Sequence, residues 1–468
     1  MTSNETTYHE PAPPQLLTLL AFLYLLQVAR NAADWAIGAG LVGECTVGVV
    51  FGPLTGILQS DWQETFIAIG YIGLVLIVFE GGLTMSPRQF LPSLPAATLA
   101  AVIGILAPVA LTFALFSAFD YPLLWSFTVG SALASTSLGT TFFVLKTQGS
   151  KLGENVDLAQ TRVGAVLQGA ALIDDVVALV LLSVIVSLGE SSDGSSSASL
   201  GWTIGRPIVA SVALAIGVPV ITWFFVRPCW RSRHVQQSTF ITKKNFLLLT
   251  GTVVLSALLS AAYYAGTTML LGAFLAGTTL LMLSDDGNFA ETYDELVFVP
   301  LFFGSIGLSI PFLDLFTGRL VWRGIVFALL MSLGKVLVGT AVLLVDAACS
   351  LIRANRSSAA SSLERDASED QNNAAGAHES ALAASFLGFA MVARGEIGIL
   401  VLQVAHNSLG KARILGDEAY LVGLWAVVLC TIIGPVVFAI IVKKYGLRIS
   451  HSIGWGYGDW QRGKDFSL

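Results

Sequence analysis

Residues 163–188 read VGAVLQGAALIDDVVALVLLSVIVSL, an apolar run long enough to cross a bilayer with two acids, Asp174 and Asp175, set side by side in its middle. Eleven residues precede the pair within the run and thirteen follow it, which puts both carboxyls near mid-depth. A charge there costs several kcal/mol, so an intramembrane acid is read first as a functional site. Adjacent helical residues point about 100° apart, so the two acids need not share a partner. Like charges in a low dielectric oppose joint ionisation, and one of the pair can hold a proton and release it when a cation arrives. The run therefore argues for a helical membrane protein in which protons and cations compete.

The rest of the chain agrees. Of 468 residues, 54% are hydrophobic and 12% charged, half the usual charged share, with mean hydropathy +0.75 and 46 glycines. So many apolar side chains cannot be buried in water-facing domains. Thirteen spans are expected, near 12–30, 36–54, 64–83, 93–119, 122–146, 161–189, 203–226, 245–264, 268–283, 295–313, 321–348, 382–405 and 419–442. This divides the chain into an N-terminal tail 1–11, a transmembrane domain 12–442 and a C-terminal tail 443–468.

With the N-terminus outside, the inner loops carry Arg227, Arg231, Arg233, Lys243 and Lys244, and the tail Lys443, Lys444 and Arg448. The outer loops keep Arg206, Arg319, Arg323, Lys411 and Arg413. That bias predicts an extracytosolic N-terminus and a cytosolic C-terminus. The Asn4-Glu5-Thr6 sequon then falls outside. Ser/Gly-rich 190–201 and Ser/Ala/Asn-rich 350–380 are expected to be disordered linkers. Acids ahead of the first apolar run argue against a cleaved signal peptide, and no soluble domain is expected after the last span.

Several chemistries find no support. The net charge is −6, which disfavours nucleic acid as a partner. Four scattered cysteines and five histidines form neither a zinc pattern nor a disulfide framework, and no cofactor is expected. No Ser-His or Cys-His arrangement sits at span depth, so an enzyme is not expected. A cation channel remains the alternative from another class.

Other charges also fall within spans. Lys335, in Met331-Ser332-Leu333-Gly334-Lys335-Val336, needs a carboxylate, and Asp174 or Asp175 is the obvious one. Arg394 and Glu396, in Ala393-Arg394-Gly395-Glu396, are two residues apart and so should face different partners. Glu80, in Val78-Phe79-Glu80-Gly81-Gly82-Leu83, and Glu44 can reach an interface or a Ser/Thr neighbour. The fifth span is interrupted by Ser135-Thr136-Ser137-Leu138-Gly139-Thr140-Thr141 and the twelfth by Arg394-Gly395-Glu396. Lying seven spans apart, they would run antiparallel, as inverted-topology repeats with paired broken helices do.

Taken in order, Gly48–Pro53, Leu76–Leu83, Ala134–Ser137, Gly169–Val176, Gly272–Gly277, Pro300–Leu308 and Ala393–Glu396 resemble the monovalent cation:proton antiporter superfamily, the sodium/hydrogen exchangers. The resemblance implies an inverted-repeat antiporter fold with two crossing broken helices, a core domain beside a dimerisation domain, and a homodimer. It implies that Asp175 binds the transported monovalent cation and the proton, that Asp174 pairs with Lys335 until the cation arrives, and that Thr136 and Ser137 line the site. Arg394, Glu396 and Glu80 would support it. An Asp-Asp pair with a membrane lysine implies electrogenic exchange of Na⁺, with Li⁺ or K⁺ as alternatives. Phe79–Leu83 looks instead like the Asn-Asp branch, so electroneutral exchange is the runner-up. The plasma membrane is the expected residence, an organelle membrane the alternative.

Overall fold

A computed structural model describes residues 12–452 and 454–456, apart from 38–39, 85–86, 138–140, 192–199, 231–243, 284–297, 358–366 and 407–413 and most of 142–160. The described residues are helical throughout. In chain order the helices are α1 (Pro13–Ile37), α2 (Gly40–Val49), α3 (Ser60–Thr84), α4 (Pro87–Ala118), α5 (Leu123–Ala132), α6 (Arg162–Ser191), α7 (Leu200–Ile221), α8 (Lys244–Ala265), α9 (Met269–Leu283), α10 (Phe298–Ser309), α11 (Gly318–Val336), α12 (Thr340–Ser357), α13 (Ala367–Ala390), α14 (Glu396–His406) and α15 (Asp417–Ser450).

Among the described residues eight helical segments are long and apolar enough to cross a membrane, among them Pro92–Ala118, Arg162–Ile185, Gly318–Leu351 and Asp417–Ser450. The protein is a multi-pass integral membrane protein. Shorter apolar helices, Val42–Leu54, Leu123–Ala132, Met269–Leu283, Pro300–Ser309 and Ile397–His406, overlap five other expected spans without the length of a full crossing. Two of those are short because the chain leaves the helix at Leu133–Ser137 and again at Met391–Gly395.

One expectation needs correction. The 350–380 stretch is helical at both ends, as α12 runs to Ser357 and α13 starts at Ala367. Its alanines favour helix more than its serines and charges oppose it. The last helix continues to Ser450, with Val442, Gly446 and Ile449 keeping one face apolar and buried. The tail 1–11 and the linker 192–199 lie outside the described residues.

The chain divides into two compact units. One comprises Met1–Leu74 with Val297–Asp314. Its core is aromatic and aliphatic: Phe22 lies 5.4 Å from Phe51 and 5.0 Å from Phe66, with Leu26, Leu301 and Leu308 around them. Glu44, 1% exposed, meets Arg30 at 3.2 Å, so this intramembrane acid is satisfied by a base on the preceding helix rather than by a Ser/Thr neighbour.

The second unit, Val75–Leu296 with Leu315–Leu468, holds the acidic pair. Within it α4 packs along α6, α9 along α8, and α11 along α15. α3 and α9 touch backbone to backbone, since a Cβ on Gly277 would strike the Phe79 carbonyl and one on Gly82 the Phe274 carbonyl. Small residues permit such approach where lipid supplies no hydrophobic drive between helices. Gly277→Val is expected to cost about 1–3 kcal/mol by overpacking this contact. A lowered melting temperature in detergent, absent for Val at the open Gly217, checks it.

Candidate functional site

α5 ends at Ala132, and after a closing turn in which the Leu133 amide donates to Val129 and the Ala134 amide to Ser131, the chain runs on as irregular backbone to Ser137, every residue from Leu133 to Ser137 being buried. Met391–Gly395, between α13 and α14, does the same. Irregular backbone at membrane depth survives only where protein encloses it. Here the two breaks enclose each other. The Ser137 amide donates to the Ala393 carbonyl at 2.9 Å, the Thr141 hydroxyl reaches the Ala390 carbonyl at 3.3 Å, and Gly395 lies against the Ser137 side chain. Thr431 on α15 donates to the Arg394 carbonyl at 2.9 Å.

The end of a half-helix presents unsatisfied carbonyls and a partial negative charge, which suits cations. Two buried cations stand there. Lys335 on α11 is wholly buried, and its ammonium uses its three donors on the Ala134 carbonyl (2.5 Å), the Thr136 hydroxyl (2.9 Å) and Asp174 Oδ2 (2.5 Å). Thr136 passes its own proton to the same carboxylate oxygen at 3.0 Å. Arg394 is also fully buried, and its Nη1 donates to the Ser135 carbonyl at 2.9 Å. Its guanidinium faces the Cys430 thiol on α15.

Asp174 is wholly buried in α6. Among the described residues its Oδ1 has no hydrogen-bond partner, nor do Nε and Nη2 of Arg394. Asp175 is half-buried one step along the helix, within electrostatic range of Lys335. The geometry thus brings Asp174, Thr136 and Lys335 into one hydrogen-bonded cluster, with Asp175, Ser137 and Arg394 beside it. Glu80 is half-buried in α3. Glu396 opens α14, and its side chain lies outside the described residues.

Sequence reasoning missed the backbone carbonyls of Ala134 and Ser135 and also missed Gly104. A Cβ on Gly104 would lie 3.3 Å from the Lys335 ammonium and 3.4 Å from Asp174 Oδ2, so α4 covers the ion pair with bare backbone. Nothing distinguishes Gly104 in the sequence from the chain's other helical glycines.

A helical membrane unit built on two buried helix breaks and a threonine-bridged lysine–aspartate pair has the architecture of an ion-coupled transporter. The sequence profile described as "Sodium/hydrogen exchanger, transmembrane" matches residues 18–444. The chain belongs to the sodium/hydrogen exchanger family. It is 23% identical over 419 residues to a Na(+)/H(+) antiporter of Enterococcus hirae, covering 86% of this chain and 92% of that protein. A shorter match, 27% over 135 residues, links it to the high-affinity Na(+)/H(+) antiporter NhaS3 of Synechocystis and spans 29% of this chain and 28% of that protein. The fold is similar to that of the sodium proton antiporter MjNhaP1 from Methanocaldococcus jannaschii at pH 8, with a TM-score of 0.57, 15% identity, and coverage of 94% and 100% of the two chains.

Proposed function

We propose that the protein is a secondary antiporter that exchanges a monovalent cation, Na⁺ before K⁺ or Li⁺, for protons by alternating access. One observation carries the reading: a fully buried Asp174–Lys335 pair bridged by Thr136 where two helix breaks meet. A buried pair of this kind is a poor stabiliser, because desolvation offsets most of its Coulomb gain. Its retention supports a working role.

In the proton-loaded state Lys335 holds Asp174 Oδ2, and Asp175 carries a proton. An arriving cation meets hard oxygens, which suit it: Asp175, the Oδ1 of Asp174, and the hydroxyls of Thr136 and Ser137. It displaces the Asp175 proton by charge competition. It also weakens the hold of Asp174 on Lys335, which can then shed a second proton. Two protons against one cation move one net charge per cycle, worth about 2.3 kcal/mol per 100 mV. The charge bias of the loops supports thirteen spans with the N-terminus outside and the C-terminus in the cytosol, in the plasma membrane. The family supports a homodimer.

The deciding experiment uses proteoliposomes. An imposed pH gradient should drive Na⁺ uphill, with K⁺ and Li⁺ as competitors. A channel cannot do this, so flux that only follows the cation gradient overturns the proposal. Topology is checked by cysteine labelling. The loop 227–244 should react from the cytosolic side and residues 1–11 from the other. The acidic linker Asp285, Asp286, Glu291, Asp294 and Glu295, outside the described residues, is proposed to concentrate cations at the inner mouth. Neutralising all five should raise the apparent cation KM from the cytosolic side, more at low salt than at high salt, and an unchanged KM at low ionic strength would make it an ordinary solvated loop.

A further inference from the structure

Beyond the last helix, the chain does not trail away. Trp455 is 1% exposed and sits in the same buried cluster as Val144, Leu145, Leu158, Val163 and Val166. Its indole N–H donates to Asp346 on α12 at 2.9 Å, and the Arg162 guanidinium lies over its ring at 4.6 Å. Arg162 Nη1 donates to the Gly454 carbonyl at 2.9 Å. Ser452, on the same short segment, donates to Glu379 on α13 at 2.8 Å.

The segment also satisfies α6 itself. The first amides of a helix have no partner within it. Here the Val163 amide donates to the Trp455 carbonyl at 3.0 Å and the Arg162 amide to the Gly456 carbonyl at 3.4 Å. A surface tail needs neither a buried indole nor backbone bonds to a helix 290 positions upstream. These contacts are those of a built part.

We infer that Ser452 and Gly454–Gly456 form a strap that fixes the starting end of the ion-site helix, and that Trp455 and Arg162 are positioning residues for Asp174 and Asp175. The inference rests on the exchange reading. From Val163 to Asp175 a helix rises about 18 Å, and a hydrogen-bonded helix passes a displacement of its end to the acids along its axis. An ion site tolerates about 0.5 Å of misplacement. The strap ties α6 to α12 and α13, which adjoin the helix bearing Lys335 and the second break respectively. Both sides of the Asp174–Lys335 pair are thereby held in one register.

The test compares Trp455→Ala, Trp455→Phe and Arg162→Gln in the full chain, each normalised to folded protein by size-exclusion chromatography. Trp455→Ala should raise the apparent KM for Na⁺ about tenfold and displace the pH profile, since a site held about 1 Å too loosely loses function of this order. Trp455→Phe keeps the ring beneath Arg162 and should restore both to within about threefold. If Trp455→Ala merely lowers the yield of folded protein, with KM and pH profile unchanged, the strap is packing alone and the inference fails. Should that variant not fold, Arg162→Gln decides, and wild-type KM and pH profile there also overturn it. Hydrogen exchange at the Arg162 and Val163 amides reads the strap independently of transport. Protection lost in Trp455→Ala supports it, and equal protection overturns it. Absence of proton-coupled flux in the wild type refutes the exchange reading instead.

Discussion

Asp175→Asn is expected to abolish proton-coupled cation flux while the protein still folds. The change keeps the shape of the side chain and removes the oxygen proposed to take up and give up a proton. Asp175 is half-buried, and the hydrogen bonds that join Thr136, Asp174 Oδ2 and Lys335 run among those three residues, so an amide at 175 keeps them. Loss of the group that carries the proton typically removes about 10²-fold or more in rate. The measurement is Na⁺ uptake against an imposed pH gradient in proteoliposomes, with a melting curve to verify folding. Flux near that of the wild type would remove Asp175 from the mechanism.

Lys335→Gln is expected to be as severe, with a different signature. The amide cannot neutralise Asp174, and an isolated carboxylate in that wholly buried position is costlier than a protonated one. Asp174 therefore takes up a proton and keeps it, and with no Lys335 proton to shed, cation binding releases one proton in place of two. The variant either stops transporting or exchanges without net charge movement. Rates at zero and at inside-negative voltage, with the potential clamped, separate the outcomes. The wild type should respond to voltage and the variant should not. A wild type indifferent to voltage ends the electrogenic reading and leaves Lys335 as a structural partner of Asp174.

The acids and Lys335 were legible because a charge inside an apolar run is visible against its neighbours, and bilayer cost gives it meaning. The interruptions expected at 135–141 and 394–396, from Gly and hydroxyl residues in helical runs, overlap the breaks at 133–137 and 391–395, which begin earlier, in apolar residues that carry no such mark. What each group touches was not legible. Lys335 had two candidate acids in sequence, and only folding selects Asp174 Oδ2 as the hydrogen-bonded oxygen. Arg394 finds a carbonyl, and a carbonyl belongs to every residue, so no sequence pattern marks Ser135 as its partner.

Glu44 shows the same limit, since its base stands on another helix, fourteen positions earlier. The strap was missed for a further reason. Its short, Gly-rich sequence has no helical or strand period, and a single tryptophan near hydrophilic residues reads as surface.

At the opposite end of the second unit another set of contacts joins distant segments. Arg323 on α11 donates to Glu418 on α15 at 2.6 Å and to the Tyr121 hydroxyl at 2.8 Å, and lies 4.4 Å over the Phe119 ring. Burial first, and the Glu418 carboxylate next, push the Tyr121 phenol up to about 12. It stays protonated at any physiological pH, so this junction does not respond to pH through Tyr121.

The position of Trp455 in the chain also dictates an order of assembly. A ribosome adds about 5–20 residues per second, so roughly 15–60 s separate the synthesis of Arg162 from that of Trp455. Throughout that interval α6 is already inserted, with its first amides turned to water or lipid headgroups. Asp174 waits only for Lys335, made partway through that interval, whereas the Arg162 and Val163 amides wait for Trp455 and Gly456 at its end. The membrane unit cannot complete itself helix by helix as it leaves the translocon. The start of α6 waits for Gly454–Gly456 beyond α15, and a nascent protein that stalls shortly before residue 455 carries every proposed ion-site residue on an unfinished frame.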